Sequence, residues 1–246
     1  MYVPPQVIGA TTSGSSIGVA IAPNGTSYSS WVELGTTSYP INFVEINALY
    51  PAGGTDLFLD IGIGPNATSV VPIVQAMRFN NINCPGMEGP LYIPPNSTVW
   101  GRIIQQSSVS NSATVSLTGY WRNGTPNVPL WYVCGMTYGT STGGPSLTAG
   151  SGAFGTPVQY SLPQVPLKRL WIFPSMGANS LDVYMALQAS LGPSGSQQII
   201  YQKTYTGSQY SWLKPAMIEI DIPPGTDLWL AIAGGNAISH VMAAIS

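Results

Sequence analysis

Residues 92–103 read Tyr-Ile-Pro-Pro-Asn-Ser-Thr-Val-Trp-Gly-Arg-Ile, and residues 221–232 read Asp-Ile-Pro-Pro-Gly-Thr-Asp-Leu-Trp-Leu-Ala-Ile. The pattern Ile-Pro-Pro, four residues, Trp occurs at Ile93 to Trp100 and again at Ile222 to Trp229, an offset of 222 − 93 = 129. Proline cannot donate to a strand ladder, so Pro-Pro ends one strand. The next residues have turn chemistry, and a new apolar strand opens at Val99-Trp100 or Leu228-Trp229. Each indole is expected to fill core, a structural role rather than a ligand-stacking one.

Further pairs extend the match in both directions. Gly64-Pro65 corresponds to Gly192-Pro193 at an offset of 128, and Pro40-Ile41 to Pro166-Leu167 and Gly9-x-Thr11 to Gly135-x-Thr137 at 126. A drift from 126 to 129 needs only small loop insertions, which loops absorb at little cost. A chain of 246 residues also exceeds the ~100–150 residues of one ordinary domain. The reading is therefore two tandem copies of one domain, residues 1–122 and 134–246, joined by a short Pro-containing connector at 123–133.

Strands are expected in the first copy at Ser15–Ala22, near Trp31–Leu34, and at Ile41–Leu49, Leu57–Ile63, Val70–Val74, Val99–Gln105 and Ala113–Tyr120. In the second copy they fall at Val158–Tyr160, Leu167–Phe173, Val183–Leu191, Gln198–Gln202, Leu228–Ala233 and from His240 onward. No segment shows a sustained helical period. With 28 glycines and 22 prolines, the composition suits short strands and tight turns. The fold class is all-β, two tandem antiparallel β-sandwiches of jelly-roll type, seven or eight strands each. An immunoglobulin-like sandwich is the runner-up, and its Cys…Trp…Cys signature is absent.

Only 7% of the residues are charged, against roughly 25% in an average soluble protein. Seven Lys and Arg are scattered along the chain, so no basic stripe is available to neutralise phosphates. Nucleic acid is not an expected partner, and no basic amphipathic segment points to a membrane surface. The N-terminal sequence lacks the pattern of a secretory signal, and no run approaches the ~20 apolar residues of a membrane span. So low a surface charge protects poorly against self-association, which points to a homo-oligomer. The sequons at Asn24, Asn66, Asn96 and Asn123 read as turn sequences, and Cys84 and Cys134 as thiols rather than a framework disulfide.

Catalysis finds little material. His240 is the only histidine, and no strained Gly-x-Ser-x-Gly turn is present for a nucleophile. One His, two Cys and five Asp show no metal-ligand spacing, so neither metal nor cofactor is expected. A glycosidase needs only two carboxylates, and the candidates are Glu33, Glu45, Asp56, Asp60, Asp182, Glu219, Asp221 and Asp227. Asp56 and Asp182 occupy corresponding strand starts, where capping of local amides accounts for them. The expectation is a protein without catalytic residues. Glycan binding is a better alternative, because Tyr201, Tyr205, Tyr210 and Trp212 cluster with neutral polar residues between them. Aromatic residues also dominate cores and subunit contacts, which is the plainer account of that cluster.

Three stretches carry a family resemblance: Ser-Tyr-Ser-Ser-Trp-Val-Glu-Leu at 27–34, the alternating strand and Gly-Pro turn at 57–73, and the Ile-Pro-Pro module with its closing strand at 113–121. In these the sequence resembles jelly-roll structural proteins of tailed bacteriophages, of the head-decoration, head-fibre or tail-attachment kind. The second copy departs from the pattern at 185–191. The resemblance implies a virion protein assembled in the host cytoplasm, with the major capsid protein as a partner, and the low charge implies a three- or five-fold homo-oligomer or a protein bound to a larger shell. It transfers no catalytic residue. The first domain, with an arm formed by Tyr2, Val3, Pro4 and Pro5, is expected to anchor to the particle. The second is expected to face outward, with host surface glycans as candidate ligands.

Overall fold

The computed structural model describes residues 3–10, 12–13, 16–49, 57–79, 86–105, 112–134, 145–176, 183–207, 215–234 and 236–245. Two compact units divide the chain. One takes residues 1–132 with 138–141 and 245–246, and the other takes 133–137 and 142–244.

The first unit contains β1 (Gln6–Ile8), a two-residue ribbon of β2 (Thr12–Ser13) and β3 (Ser16–Ile17), β4 (Val19–Ile21), β5 (Val32–Thr36), β6 (Ile41–Leu49), β7 (Leu57–Ile63), β8 (Val71–Phe79), β9 (Gly86–Ile93), β10 (Thr98–Gln105), β11 (Ala113–Tyr120) and the first three residues of β12 (Leu130–Cys134). One sheet runs β4-β11-β6-β9, with β1 in line with β4 along the same edge of β11, and the other runs β5-β10-β7-β8. The second unit contains β13 (Ser146–Thr148), β14 (Val158–Tyr160), β15 (Leu167–Met176), β16 (Val183–Leu191), β17 (Gln198–Gly207), β18 (Ala216–Ile222), β19 (Leu228–Ala233) and β20 (Asn236–Ile245). Its sheets run β13-β20-β15-β18 and β14-β19-β16-β17.

Numbering the eight main strands of each unit from one to eight, β4 to β11 and β13 to β20, gives the orders 1-8-3-6 and 2-7-4-5 in both. That is the jelly-roll order, two four-stranded antiparallel sheets wound from one folded ribbon. The protein is all-β, and among the described residues there is no helix. Even the irregularities repeat. The ladder slips between Ile41 and Phe43 opposite β9, and between Leu167 and Arg169 opposite β18. It slips again between Ile61 and Gly62 opposite β8, and between Ala189 and Ser190 opposite β17.

Alternation sets the core of each unit. Val44, Ile46, Ala48, Leu57, Leu59, Ile61, Val99 and Ile103 are buried in the first, and Leu170, Ile172, Leu187, Ala189, Leu228 and Leu230 in the second. Several strands match the sequence reading residue for residue, including β6, β7, β11, β14, β16 and β19. The strand that each Pro-Pro ends, expected without bounds, is β9 in the first unit and β18 in the second. Glycines at 86 and 89 and Pro90 break the pattern in β9, which tolerates proline because it lies at a sheet edge beside a bulge.

The indoles of the repeated module do not fill the core. Val99 and Leu228, one residue earlier, are fully buried, so alternation turns Trp100 and Trp229 to the opposite face, where they are half-buried. Each indole Nε1 donates to a glycine carbonyl of the Gly-Pro turn, Trp100 to Gly64 at 2.7 Å and Trp229 to Gly192 at 2.8 Å. The same glycines donate their N–H to Thr98 and Asp227 carbonyls at 3.1 and 3.0 Å. Two turns are thereby locked together in each unit. Replacing Trp100 or Trp229 by Phe keeps the ring and removes the donor. Each change is expected to cost about 0.5–1.5 kcal/mol in urea denaturation, with similar values in the two units.

Candidate functional site

Tyr201 and Tyr205 lie opposite Ala189 and Met185 across the β16–β17 ladder. Directly opposed residues project to one face. Ala189 and Met185 are buried, so the two tyrosines face the interior of the second unit. Tyr205 is 6% exposed, and the two hydroxyls stand 3.4 Å apart. Burial first, and then the hydrogen bond with Tyr201, push the Tyr205 phenol well above its ordinary range. These two rings are packing elements at the sheet edge rather than an open stacking platform. Tyr210 and Trp212 lie outside the described residues, as does Tyr2 of the N-terminal arm. Val3 is half-buried and Pro4 and Pro5 are exposed. The chain is fastened just after them, where Gln6 donates to the Tyr39 carbonyl at 2.7 Å and accepts from the Ser38 N–H at 2.8 Å.

The acidic residues separate by environment. Asp56 and Asp182 lie outside the described residues. Glu219 and Asp221 pair on the surface with Arg169 and Lys168, and Asp227 accepts from Gln159 at 2.8 Å. Exposed pairs of this kind contribute little to stability. His240 falls in β20. Among the described residues, no three His, Cys, Asp or Glu side chains are grouped to hold a metal ion.

Asp60 is the exception. It is wholly buried, and its carboxylate accepts from three residues. Arg102 Nε donates at 2.9 Å and its Nη2 lies at 2.8 Å, the Ala76 N–H donates at 2.7 Å, and the Tyr28 hydroxyl donates at 3.1 Å. The guanidinium lies 4.2 Å from the Tyr28 ring centroid and 4.5 Å from that of Trp31, so two aromatic rings shield the charge pair. Ala76 adopts a left-handed conformation, φ 49°, at a second β7–β8 slip that the other unit lacks. Equivalent positions in the second unit, again directly opposed, are Gln188 and Ala231. The jelly roll therefore does not need this ion pair. It stabilises a local bulge and ties the segment before β5 to the sheet.

A shallow groove of about 250 Å³ opens on the outer face of β6 and β9, lined by Glu45, Ile46, Asn47, Gly86, Met87 and Glu88. Glu45 and Glu88 are direct cross-strand partners, a like-charge arrangement that opposes pairing. The Tyr120 hydroxyl donates to Glu45 at 3.1 Å, and Arg122 lies 4.0 Å from it. Partial burial and that hydrogen bond raise the Tyr120 phenol above its ordinary value. The Arg122 guanidinium stacks 3.4 Å from the Phe43 ring centroid. In the second unit the same two positions hold Trp171 and Met217, so the acidic pair belongs to one copy alone. A larger open groove, about 650 Å³, follows the locked turns of the first unit between Gly64-Pro65 and Asn96-Ser97, with Val71 63% exposed on its rim.

Sequence reading passed over Glu88, Tyr120, Arg102 and Ala76. Only the pairing of β6 with β9 and β11, and of β7 with β8 and β10, brings them to their partners. Asp60 was among the carboxylates, and its one sequence signal was a charge at an alternating strand position.

No protein-family model matches this sequence, and no curated protein matches it. Among solved structures, the chain is similar to the STIV MCP, a viral major capsid protein, at 8% identity and a TM-score of 0.43, over 99% of this chain and 96% of that one. It is also similar to the N-terminal tandem of CBM22 carbohydrate-binding modules of Xyn10C from Paenibacillus barcinonensis, at 8% identity and a TM-score of 0.27, over 99% and 91%. Likeness at this level carries no functional argument.

Removing one partner of the buried pair leaves a charge without compensation. Asp60→Asn is expected to cost about 3–5 kcal/mol by urea denaturation, whereas the double change Asp60→Leu with Arg102→Leu recovers most of that loss. Cys134 offers a second check. It is a buried thiol whose pKa desolvation pushes up to about 12. The folded thiol holds its proton while the unfolded one releases it near its ordinary ~8.5, so this group lowers stability as pH rises from there toward 12. In a Cys84→Ser background at pH 8, Cys134 is expected to react with a thiol reagent only at the rate of unfolding.

Proposed function

We propose that this chain is a non-enzymatic structural protein of a virion, decorating the capsid or forming part of the tail, and that it assembles with copies of itself and with other virion proteins. One observation carries the reading. Both units follow the same eight-strand order, down to two shared ladder slips. Jelly rolls recur in viral capsid proteins and in lectin domains, so the argument is one of fold. Composition supports the capsid side. With 7% charged residues, the chain suits a surface covered by neighbouring subunits better than one held apart in solution.

Glycan recognition is a second reading, and one feature favours it. The groove at Glu45, Asn47 and Glu88 presents several hydrogen-bond acceptors beside Tyr120 and Phe43, the mixture that orients a polyhydroxylated ligand.

Light scattering and electron microscopy of the full chain across the micromolar range separate the two. The expected result is a closed oligomer or larger shell-like assemblies growing with concentration, together with no hit on a glycan array. A monodisperse monomer throughout, with specific glycan binding that Glu88→Ala abolishes, overturns the structural reading in favour of the second.

A further inference from the structure

The two units place one strand in two different settings. β8 and β17 are each the fifth main strand of their unit, paired with β7 and β16. On β8, the residues opposite Ile61, Leu59 and Leu57 are Val74, Met77 and Phe79, all fully buried. On β17, the residues opposite Ala189, Leu187 and Met185 are Tyr201, Lys203 and Tyr205. Lys203 thus occupies the place of Met77, on the face of the strand turned toward the interior, yet it is exposed. Its ammonium lies 5.2 Å from the ring centroid of Tyr205, whose hydroxyl approaches that of Tyr201 at 3.4 Å.

The difference follows the edges. The outer edge of β8 carries β12 in parallel, with Trp131 opposite Val74 and wholly buried. The outer edge of β17 ends its sheet, and among the described residues no strand pairs there. A long open edge is a template for another chain. This one is ten residues long and reads Gln-Ile-Ile-Tyr-Gln-Lys-Thr-Tyr-Thr-Gly, rich in β-branched and aromatic residues, without proline and with a single charge. That is the composition of a self-associating segment. A strand added to this edge would extend the sandwich across the opening and bury the ammonium, which is costly without a partner. An inward-turned charge on an edge strand is a recognised defence against such pairing. Lysine is scarce in this chain, and the other described lysine, Lys168, is held by Asp221 at 2.5 Å.

We propose that Lys203 guards the β17 edge against strand addition by a second copy, so that ordered self-association is directed to other surfaces of the protein. The inference rests on the structure of the second unit and not on the virion reading, so either can fail without the other.

The test compares the full chain with Lys203→Met, which copies the covered strand, and Lys203→Arg, which keeps the charge. Light scattering reads association, and hydrogen exchange reads the amides of 198–207. The native chain and Lys203→Arg are expected to keep fast-exchanging outer amides on β17 at every concentration. Lys203→Met is expected to self-associate at least tenfold more tightly, with slowed exchange in β17. Adding Ile199→Lys, at a position 54% exposed on the opposite face, is expected to reverse that gain. Where Lys203→Met does not fold, Lys203→Gln carries the same comparison. Unchanged association on loss of the charge overturns the proposal, and so does protection of the β17 edge in the native assembly.

Discussion

A single indole hydrogen bond, made once in each unit, ties the turn between the fourth and fifth strands to the turn between the sixth and seventh. In the first unit Trp100 reaches the Gly64 carbonyl, and in the second Trp229 reaches that of Gly192. The first turn joins paired neighbours of one sheet and the second joins strands of different sheets, so fixing one against the other fixes how the ribbon closes. Trp100 is then held on the outer face, and Val99 is left to enter the core. The same arithmetic places Leu228 and Trp229. Gly64 must be glycine for a related reason, because a Cβ there would stand 2.6 Å from the Ser69 carbonyl oxygen and 2.9 Å from the Val70 Cα. The turn is tight enough to present its carbonyl to the indole only because no side chain intervenes.

Around this shared frame the two copies have diverged in what they put on their faces. Asp60 and Arg102 in one become Gln188 and Ala231 in the other. Glu45 and Glu88 become Trp171 and Met217. Met77 becomes Lys203. Each replacement exchanges a charged or polar solution for an apolar one, or the reverse, at a fixed place in the ladder. A jelly roll constrains the residues between its sheets and leaves the outer faces and edges free to change. A buried ion pair is tolerated in the first unit because Arg102, Tyr28 and the Ala76 N–H donate to Asp60 and two aromatic rings flank the guanidinium, and the slip at Ala76 that aims its N–H is absent from the second unit.

The local signals in the sequence were reliable where apolar and polar residues alternate. The runs at 57–63, 113–120 and 183–191 delimit β7, β11 and β16 to the residue. The signal was weaker where both faces are polar or a proline interrupts, as in β9. The aromatic cluster shows the limit of reading a site from composition. Tyr201 and Tyr205 stand four residues apart in a strand of period two, so they share a face, but the sequence does not say which. The buried residues opposite them on β16 decide that it is the inner one.

By itself the sequence determined that the chain is all-β, that one domain pattern occurs twice, and where most strands begin and end. These properties follow from local chemistry: alternation, the missing donor of proline, and spacings that repeat at 126 to 129 residues. Which strand lies beside which was decided only by tertiary structure. So were the turning of the tryptophans outward, the meeting of Asp60 with Arg102 across 42 residues, and the contrast between a covered β8 and an open β17. The physical reason is that pairing partners in a jelly roll are distant in sequence. Their side chains acquire partners, burial or exposure only when both sheets have formed and closed on each other.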